Sequence, residues 1–277
     1  MKRLTNEKYW DQIWRTKNQK KSNFWNFLVR KGKNFLGEKA DNYSETALWS
    51  TLYPKYLPFQ AGLKILEIGS APGWNLVKFY RLFGYEPFGV EFSSVGAEKN
   101  RQKFISAGIN PSNVIEADFF SPDFQDKFKE HFDIVISRGF IEHFDDSKKV
   151  LQDHLRLLKS GGTLIITVPN FQGLNYYLAN FFYSGIKETH NFSILNRERL
   201  LRHFAGLEVE TLHCNYQGTL GLGLFVLDNQ SRIKYWIYRF LLRLQVIFNV
   251  LFNFIFGKKG AENRYFSPYI IYFGRKK

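Results

Sequence analysis

From Leu63 onward, apolar runs of strand character alternate with segments of helical periodicity, and few folds accommodate that alternation. Strand-like runs fall at Leu63–Ile68, Glu86–Glu91, Val114–Glu116, Phe132–Ser137 and Thr163–Val168. Helical patterns separate them at Leu76–Phe83, Val95–Ala107, Asp123–His131 and Ser147–Lys159. Strand–helix–strand repeats of this kind predict right-handed crossovers and a parallel sheet with helices on both faces. Gly161-Gly162 reads as the stop of the helix that runs to Lys159. After Pro169 the regularity lapses. Asn170–Asn191 is aromatic and helix-like, Asn196–Phe204 is a helix that runs into Gly206, and Glu208–Cys214 and Tyr269–Arg275 read as two last strands.

The first strand–helix junction carries the most chemistry. It reads Ile65-Leu66-Glu67-Ile68-Gly69-Ser70-Ala71-Pro72-Gly73-Trp74-Asn75. Gly69 lets the backbone turn sharply and approach a ligand closely, because no Cβ stands in the way. Gly73 does the same at the helix start, where free N–H groups favour an anionic group. A dinucleotide loop spaces its glycines G-x-G-x-x-G. Here position 71 is Ala, which disfavours a dehydrogenase.

Glu67-x-Gly69-x-x-x-Gly73 resembles motif I of the class I S-adenosylmethionine (SAM) dependent methyltransferases. Three further segments resemble that family in register. Glu91, 24 residues after Glu67, ends the second strand. Val114-Ile115-Glu116-Ala117-Asp118-Phe119 matches the segment after the third. Phe132–Ser137 resembles motif IV, and Leu157–Ile166 the helix-turn-strand that follows it. The resemblance spans roughly Leu63 to Gly206. It implies that Glu67, Gly69, Ser70 and Gly73 border SAM, that Glu91 with Phe92 holds the ribose, and that Asp118 meets the adenine amino group with Phe119 against the ring. Ser137 would face the methionine part. The implied fold is a Rossmann-like, doubly wound α/β sheet of seven strands, mostly parallel, with an antiparallel last strand and a helical insertion before it.

Glu142-His143 resembles the Glu-His pair of the small-molecule branch, similar to the ubiquinone- and menaquinone-pathway methyltransferases. A histidine there can take a proton from an attacking hydroxyl. In some quinone-pathway relatives this region also binds a divalent metal through an acidic residue three positions before the pair. This chain has Gly139 there, so no metal is expected, although Asp145 and Asp146 are candidates to substitute. His190 precedes the helix that many relatives place over the substrate mouth and is a second candidate base. His131, His154, His203 and His213 sit in contexts where ordinary packing suffices. Tyr9–Trp14 resembles the short aromatic helix that closes over the cofactor in this family.

The net charge of +14 is uneven. Residues 1–40 carry 11 Lys/Arg and 3 Asp/Glu, residues 231–277 carry 10 and 1, and the middle carries 18 and 21. Basic ends on a near-neutral body suit an anionic partner. Arg232–Phe256 adds a broad apolar face that includes Ile233, Trp236, Phe240, Leu244, Phe248 and Leu251, with Arg232, Arg239, Arg243, Asn249 and Asn253 on another face. Lys234, Arg239 and Arg243 interrupt its first half, so a helix lying in a membrane interface is expected before a spanning one. The single cysteine, Cys214, excludes an internal disulfide and fits a reducing compartment. Met1–Lys21 has no apolar core of a secretory signal.

The expectation is therefore a helical lid over 1–62 and a SAM-binding domain over 63–277, with a substrate-side insertion at 171–195 and an amphipathic helical insertion at 230–260. Its acceptor is a small-molecule or lipid-like compound methylated at oxygen, and its place is the cytoplasm, attached peripherally to the inner membrane face. RNA methylation is the competing enzyme class, because the loop around Gly69 also looks like that of ribose 2′-O-methyltransferases. Those enzymes carry a catalytic Asp at the end of the fourth strand, where this chain has Ser137-Arg138. A SAM-binding, membrane-docking protein without transferase activity is the non-enzyme alternative.

Overall fold

The computed structural model describes residues 1–16, 42–183, 185–222, 231–257 and 261–277. The basic stretch 17–40, and residues 230 and 258–260 of the predicted helical insertion, lie outside the described residues. Seven strands form one sheet: β1 Lys64–Ile68, β2 Glu86–Glu91, β3 Val114–Glu116, β4 Phe132–Arg138, β5 Leu158–Pro169, β6 Val209–Gln217 and β7 Tyr269–Lys276. Their order is β3-β2-β1-β4-β5-β7-β6, and β7 alone runs antiparallel to both its neighbours. The helices are α1 Glu7–Thr16, α2 Tyr43–Ala47, α3 Tyr53–Tyr56, α4 Trp74–Phe83, α5 Ser94–Ser106, α6 Pro122–Lys127, α7 Ser147–Leu157, α8 Leu174–Phe182, α9 Ile186–Thr189, α10 Arg197–Phe204 and α11 Arg232–Phe256. A π-helical turn, Leu48–Leu52, joins α2 to α3.

The central strands β1, β4 and β7 and the second half of β5 are apolar runs because both sheet faces are buried there, whereas β6 at the sheet edge is polar and largely part-exposed. Alternate residues serve different cores. Leu66, Val135, Leu164 and Tyr272 join the core that also holds Val150, Leu151 and Leu200 of α7 and α10. Ile65, Ile134, Ile165 and Phe273 join the core formed by Trp49, Tyr53, Phe79 and Phe104 on the opposite face.

Several boundaries differ from the sequence reading, among them three with a clear physical cause. Helix α7 ends at Leu157, and β5 begins at Leu158, paired with Phe132. The two glycines sit inside β5, where the register shifts between Phe132 and Ile134 and Gly161 takes a φ of +74°. The glycines thus permit an irregularity in the ladder and do not stop the helix. Helix α6 ends at Lys127, four residues early, and Glu130 has a φ of +50°. The aromatic segment after Pro169 splits into α8 and α9, entered through Gly173 and Gly185.

The N-terminal region also divides. Residues 1–16 lie over the C-terminal ends of the strands, whereas α2, the π turn and α3 bury Leu48, Trp49 and Tyr53 in the sheet's second core. Rings of Trp49, Tyr53 and Phe79 pack with centroids 4.6–4.9 Å apart. Of the region grouped as a lid, residues 43–56 therefore belong to the domain itself.

Candidate functional site

The parallel strands end together, and their C-terminal edge opens into a cavity of about 250 Å³. The turn after β1 forms its floor. Gly69 donates its N–H to Val90 O at 3.0 Å and holds a φ of +69°. A Cβ there would come within 3.2 Å of the Phe140 ring on the cavity wall. At the end of β2, the Glu91 carboxylate accepts from Ala71 N (3.1 Å) and Ser93 N (3.0 Å). Burial pushes the Glu91 carboxyl upward, and these two backbone bonds counteract it. A carboxylate has about four acceptor sites, so capacity remains on the cavity side.

Phe92, Asp118 and Phe119 complete the β2–β3 side. Asp118 is engaged at both oxygens, by Phe120 N at 2.9 Å and by the Arg3 guanidinium. Arg3 also lies 4.6 Å from the Phe92 ring centroid and 5.3 Å from that of Phe120. The N-terminal segment is the roof. Thr5, Trp10 and Trp14 line the cavity, Leu4 N donates to His143 O, and Asp11 accepts from Ser93 Oγ. Trp10 and Trp14 of the aromatic motif near the N-terminus thus border the cavity.

Four expected binding residues stand behind the wall. Ser70 Oγ accepts from Asn100 Nδ2 at 2.6 Å and is fully inside. Gly73 opens α4, and a Cβ there would lie 2.1 Å from Asn100 Oδ1, so its close approach is to Asn100. Ser137 Oγ bonds His154 Nε2 at 3.0 Å in the core. Glu67 is buried and accepts from Asn75 Nδ2 at 2.7 Å. Asn75 Oδ1 in turn accepts from Arg138 Nη1 (2.8 Å), whose Nη2 donates to Glu45 Oε1 (2.6 Å). Glu45 Oε2 accepts from Trp49 Nε1 at 3.1 Å. Arg138 lines the cavity and is a site residue that the sequence reading missed. Its only signal was an arginine directly after the strand of motif IV.

Burial pushes the Glu67 carboxyl up to about 7, which makes a prediction about pH. A raised carboxyl binds its proton more tightly in the folded than in the unfolded chain. Its contribution to stability is therefore fully present below the ordinary carboxylate range and is lost as pH rises through about 7. Glu67→Gln keeps an acceptor for Asn75 and removes the titration. At pH 8 it is expected to unfold at higher urea than the parent, by roughly 3 kcal/mol, at 1.36 kcal/mol per pKa unit. Urea curves from pH 5 to 8 check this; an equal pH slope in both proteins would refute it.

His143 and His190 come together with ring centroids 4.7 Å apart. His143 Nδ1 lies 2.7 Å from Thr189 O, and His190 Nδ1 lies 3.1 Å from Ile186 O. A carbonyl only accepts, so both Nδ1 atoms carry the proton and both Nε2 atoms are acceptors. Burial pushes His143 down to about 4; burial and the neighbouring His143 push His190 down to about 3. The adjacent Glu142 is buried, pushed up to about 8, and its Oε2 has no hydrogen-bond partner. One donor atom from each of Glu142, His143 and His190 lies within 4.8 Å of the others, the one such cluster among the described residues. Asp145 and Asp146 do not join it. Asp145 accepts from Lys2 N, and Asp146 caps α7 through Lys149 N. The histidines lie one aromatic layer from the cavity, since Trp10 lines the cavity and meets the His143 ring edge-on at 5.1 Å. On the other side His190 borders an open groove of about 530 Å³ with Tyr176, Lys187 and Phe192.

Comparison with known proteins matches residues 41–219 to a family model described as a methyltransferase domain. The sarcosine/dimethylglycine N-methyltransferase of Aphanothece halophytica is 28% identical over 121 residues, covering 43% of each chain. The chloroplastic 2-methyl-6-phytyl-1,4-hydroquinone methyltransferase 1 of Oryza sativa subsp. japonica is 26% identical over 170 residues, 59% of this chain and 47% of that protein. The chain spans less than half the length of these curated relatives. Among solved structures, geranyl diphosphate C-methyltransferase from Streptomyces coelicolor A3(2), in complex with Mg2+, geranyl diphosphate and S-adenosyl-L-homocysteine, superposes with a TM-score of 0.53 at 17% identity. The match covers 83% of this chain and 79% of that one.

Proposed function

The chain belongs to the methyltransferase-domain family, whose cofactor is SAM, and from that premise we propose that it transfers a methyl group to a hydroxyl of a small, apolar or lipid-like acceptor in the cytoplasm. The cavity suits SAM on its own features: a glycine floor that a Cβ would crowd, an oriented buried carboxylate at the end of β2, and aromatic walls. Glu91 holds the ribose and Asp118 the adenine, with Phe92 and Phe119 beside them. Arg138 faces the methionine carboxylate, as the cation on the β4 side of the wall. Asp118 becomes available to adenine when Arg3 releases it, because both its oxygens are engaged. SAM supplies a methyl group on a sulfonium with a good leaving group, so the protein's main contribution is alignment.

The observation that carries the oxygen acceptor is the histidine pair. Both rings are neutral at physiological pH with Nε2 as the acceptor; His190 borders the groove, and His143 lies one ring, that of Trp10, from the SAM cavity. A base held down to about 4 is a weak one. His143→Ala and His190→Ala are therefore each expected to lower turnover by about 10²-fold, the low end for general-base catalysis. The acid limb of the pH–rate profile should fall near 4 and not near 6.5. Full turnover in both variants on a labelled-SAM assay with a total lipid extract would remove the histidines from the chemistry.

A second reading has its own observation. Glu142, His143 and His190 form a two-imidazole, one-carboxylate donor set, and both imidazoles are oriented by Nδ1–H bonds to backbone carbonyls, as metal-binding histidines are. This set suits zinc, iron or manganese better than magnesium. A cation there would lower the pKa of an acceptor hydroxyl. Turnover lost to a chelator and restored by one of these metals supports this reading; chelator-insensitive turnover supports the histidine base.

A further inference from the structure

Helix α11 turns a broad apolar face away from the domain it is docked on. Its buried residues are Gln245 and Asn249. Gln245 accepts from Leu222 N (2.7 Å) and donates to Leu220 O (3.2 Å) and Asn249 Oδ1 (2.9 Å), and Asn249 Oδ1 accepts from Tyr43 N (3.3 Å). This polar seam faces the protein, alongside Tyr238, Leu241 and Phe252. On the opposite face Ile233, Trp236, Phe240, Ile247, Leu251 and Phe254 are all exposed, Ile233 by 73% and Phe254 by 79%. At 1.5 Å per residue this apolar stripe is roughly 32 Å long. Tyr177 and Phe181 of α8 are also exposed, with Lys234 Nζ 5.2 Å from the Phe181 ring centroid. Isolated exposed apolar side chains need no account, but a continuous stripe of this size marks an interaction surface.

We propose that this face docks in the interfacial layer of an anionic phospholipid bilayer. Three observations select that occupant. Helix α11 contains four basic residues, Arg232, Lys234, Arg239 and Arg243, and no acidic one, so the apolar stripe is accompanied by cations only. An isologous contact of two such stripes would give the cations of the first half of the helix no acidic partner, because the second copy's helix carries none either. A nucleic acid would engage the cations and leave the apolar stripe in water. The helix lies along the membrane and does not cross it. It is fastened to the domain from Tyr238, against Phe182 (5.5 Å), to Phe252, against Tyr43 (6.0 Å), so its middle cannot leave the protein surface. The docking stands apart from the methyl-transfer reading.

The test is flotation of the full chain with vesicles of phosphatidylcholine alone and of phosphatidylcholine mixed with phosphatidylglycerol. Co-flotation is expected on the mixed vesicles and should be about tenfold or more weaker on phosphatidylcholine or in high salt. The triple variant Trp236→Ser, Phe240→Ser, Phe254→Ser should lose flotation with an unchanged thermal midpoint, since all three side chains are exposed. Arg232→Glu, a single exposed change, provides an independent arm and should weaken flotation by about fivefold or more. A protein that stays in the soluble fraction with every vesicle would overturn the proposal. So would flotation that ignores these substitutions, or a dimer in sedimentation that the triple variant dissolves.

Discussion

Replacing Glu91 by alanine is expected to weaken SAM binding by about 10²–10⁴-fold. The carboxylate is buried, and charge-assisted hydrogen bonds from a ligand to such a group are worth about 1.5–3 kcal/mol each. Two ribose hydroxyls make that roughly 3–6 kcal/mol, and each 1.4 kcal/mol is about tenfold. Glu91 also anchors the loop, through Ala71 N and Ser93 N. Glu91→Gln separates the two effects. It keeps one oxygen for a backbone donor, so the fold should hold while much of the affinity is lost. Calorimetric titration with SAM measures both variants. Unchanged affinity in Glu91→Ala would place the ribose elsewhere in the cavity.

Arg138→Met is expected to destabilise the fold by about 3 kcal/mol, near the low end for breaking a buried ion pair because Glu45 keeps 35% side-chain exposure. Burial works against the charge of Glu45, but the adjacent Arg138 outweighs it and holds the carboxyl below its ordinary value. Methionine leaves that carboxylate without its cation and Asn75 Oδ1 without its donor. Adding Glu45→Gln should recover part of the loss, and the coupling follows from a double-mutant cycle in urea. Arg138 also favours the charged form of Glu67. In Arg138→Met the Glu67 limb of the stability profile should therefore extend to higher pH. A variant as stable as the parent, with the same profile, would show that the relay from Glu67 to Trp49 carries little energy.

Most of the strands were legible in the sequence because burial on both sheet faces writes a central strand as an apolar run, whereas the antiparallel last strand was expected only from the resemblance to the methyltransferase family. The Gly69 turn and the acids ending β2 and following β3 were legible for a similar reason. Ligand-facing residues of a parallel sheet sit at strand ends, a fixed offset from those runs. Helix α11 was also visible as a length of helical periodicity.

What the sequence left open depends on which distant residue occupies the same space. Gly73 reads as a ligand-approach glycine until Asn100 is seen beside it. Ser137 reads as a site residue until His154 accepts its hydroxyl. Arg138 looked like the absence of another enzyme's aspartate and is a cation of the cavity wall, because Glu45, more than ninety positions earlier, comes to hold it. His143 and His190 were separate candidates whose rings meet only because the end of α9 folds back against the segment after β4. The polarity of α11 shows the division most plainly. Periodicity identified its apolar face, but only the hydrogen bonds of Gln245 and Asn249 to Leu220, Leu222 and Tyr43 decided that this face turns outward. Local sequence determines the period and polarity of an element, whereas the direction a face turns is decided by long-range partners that satisfy its buried polar groups.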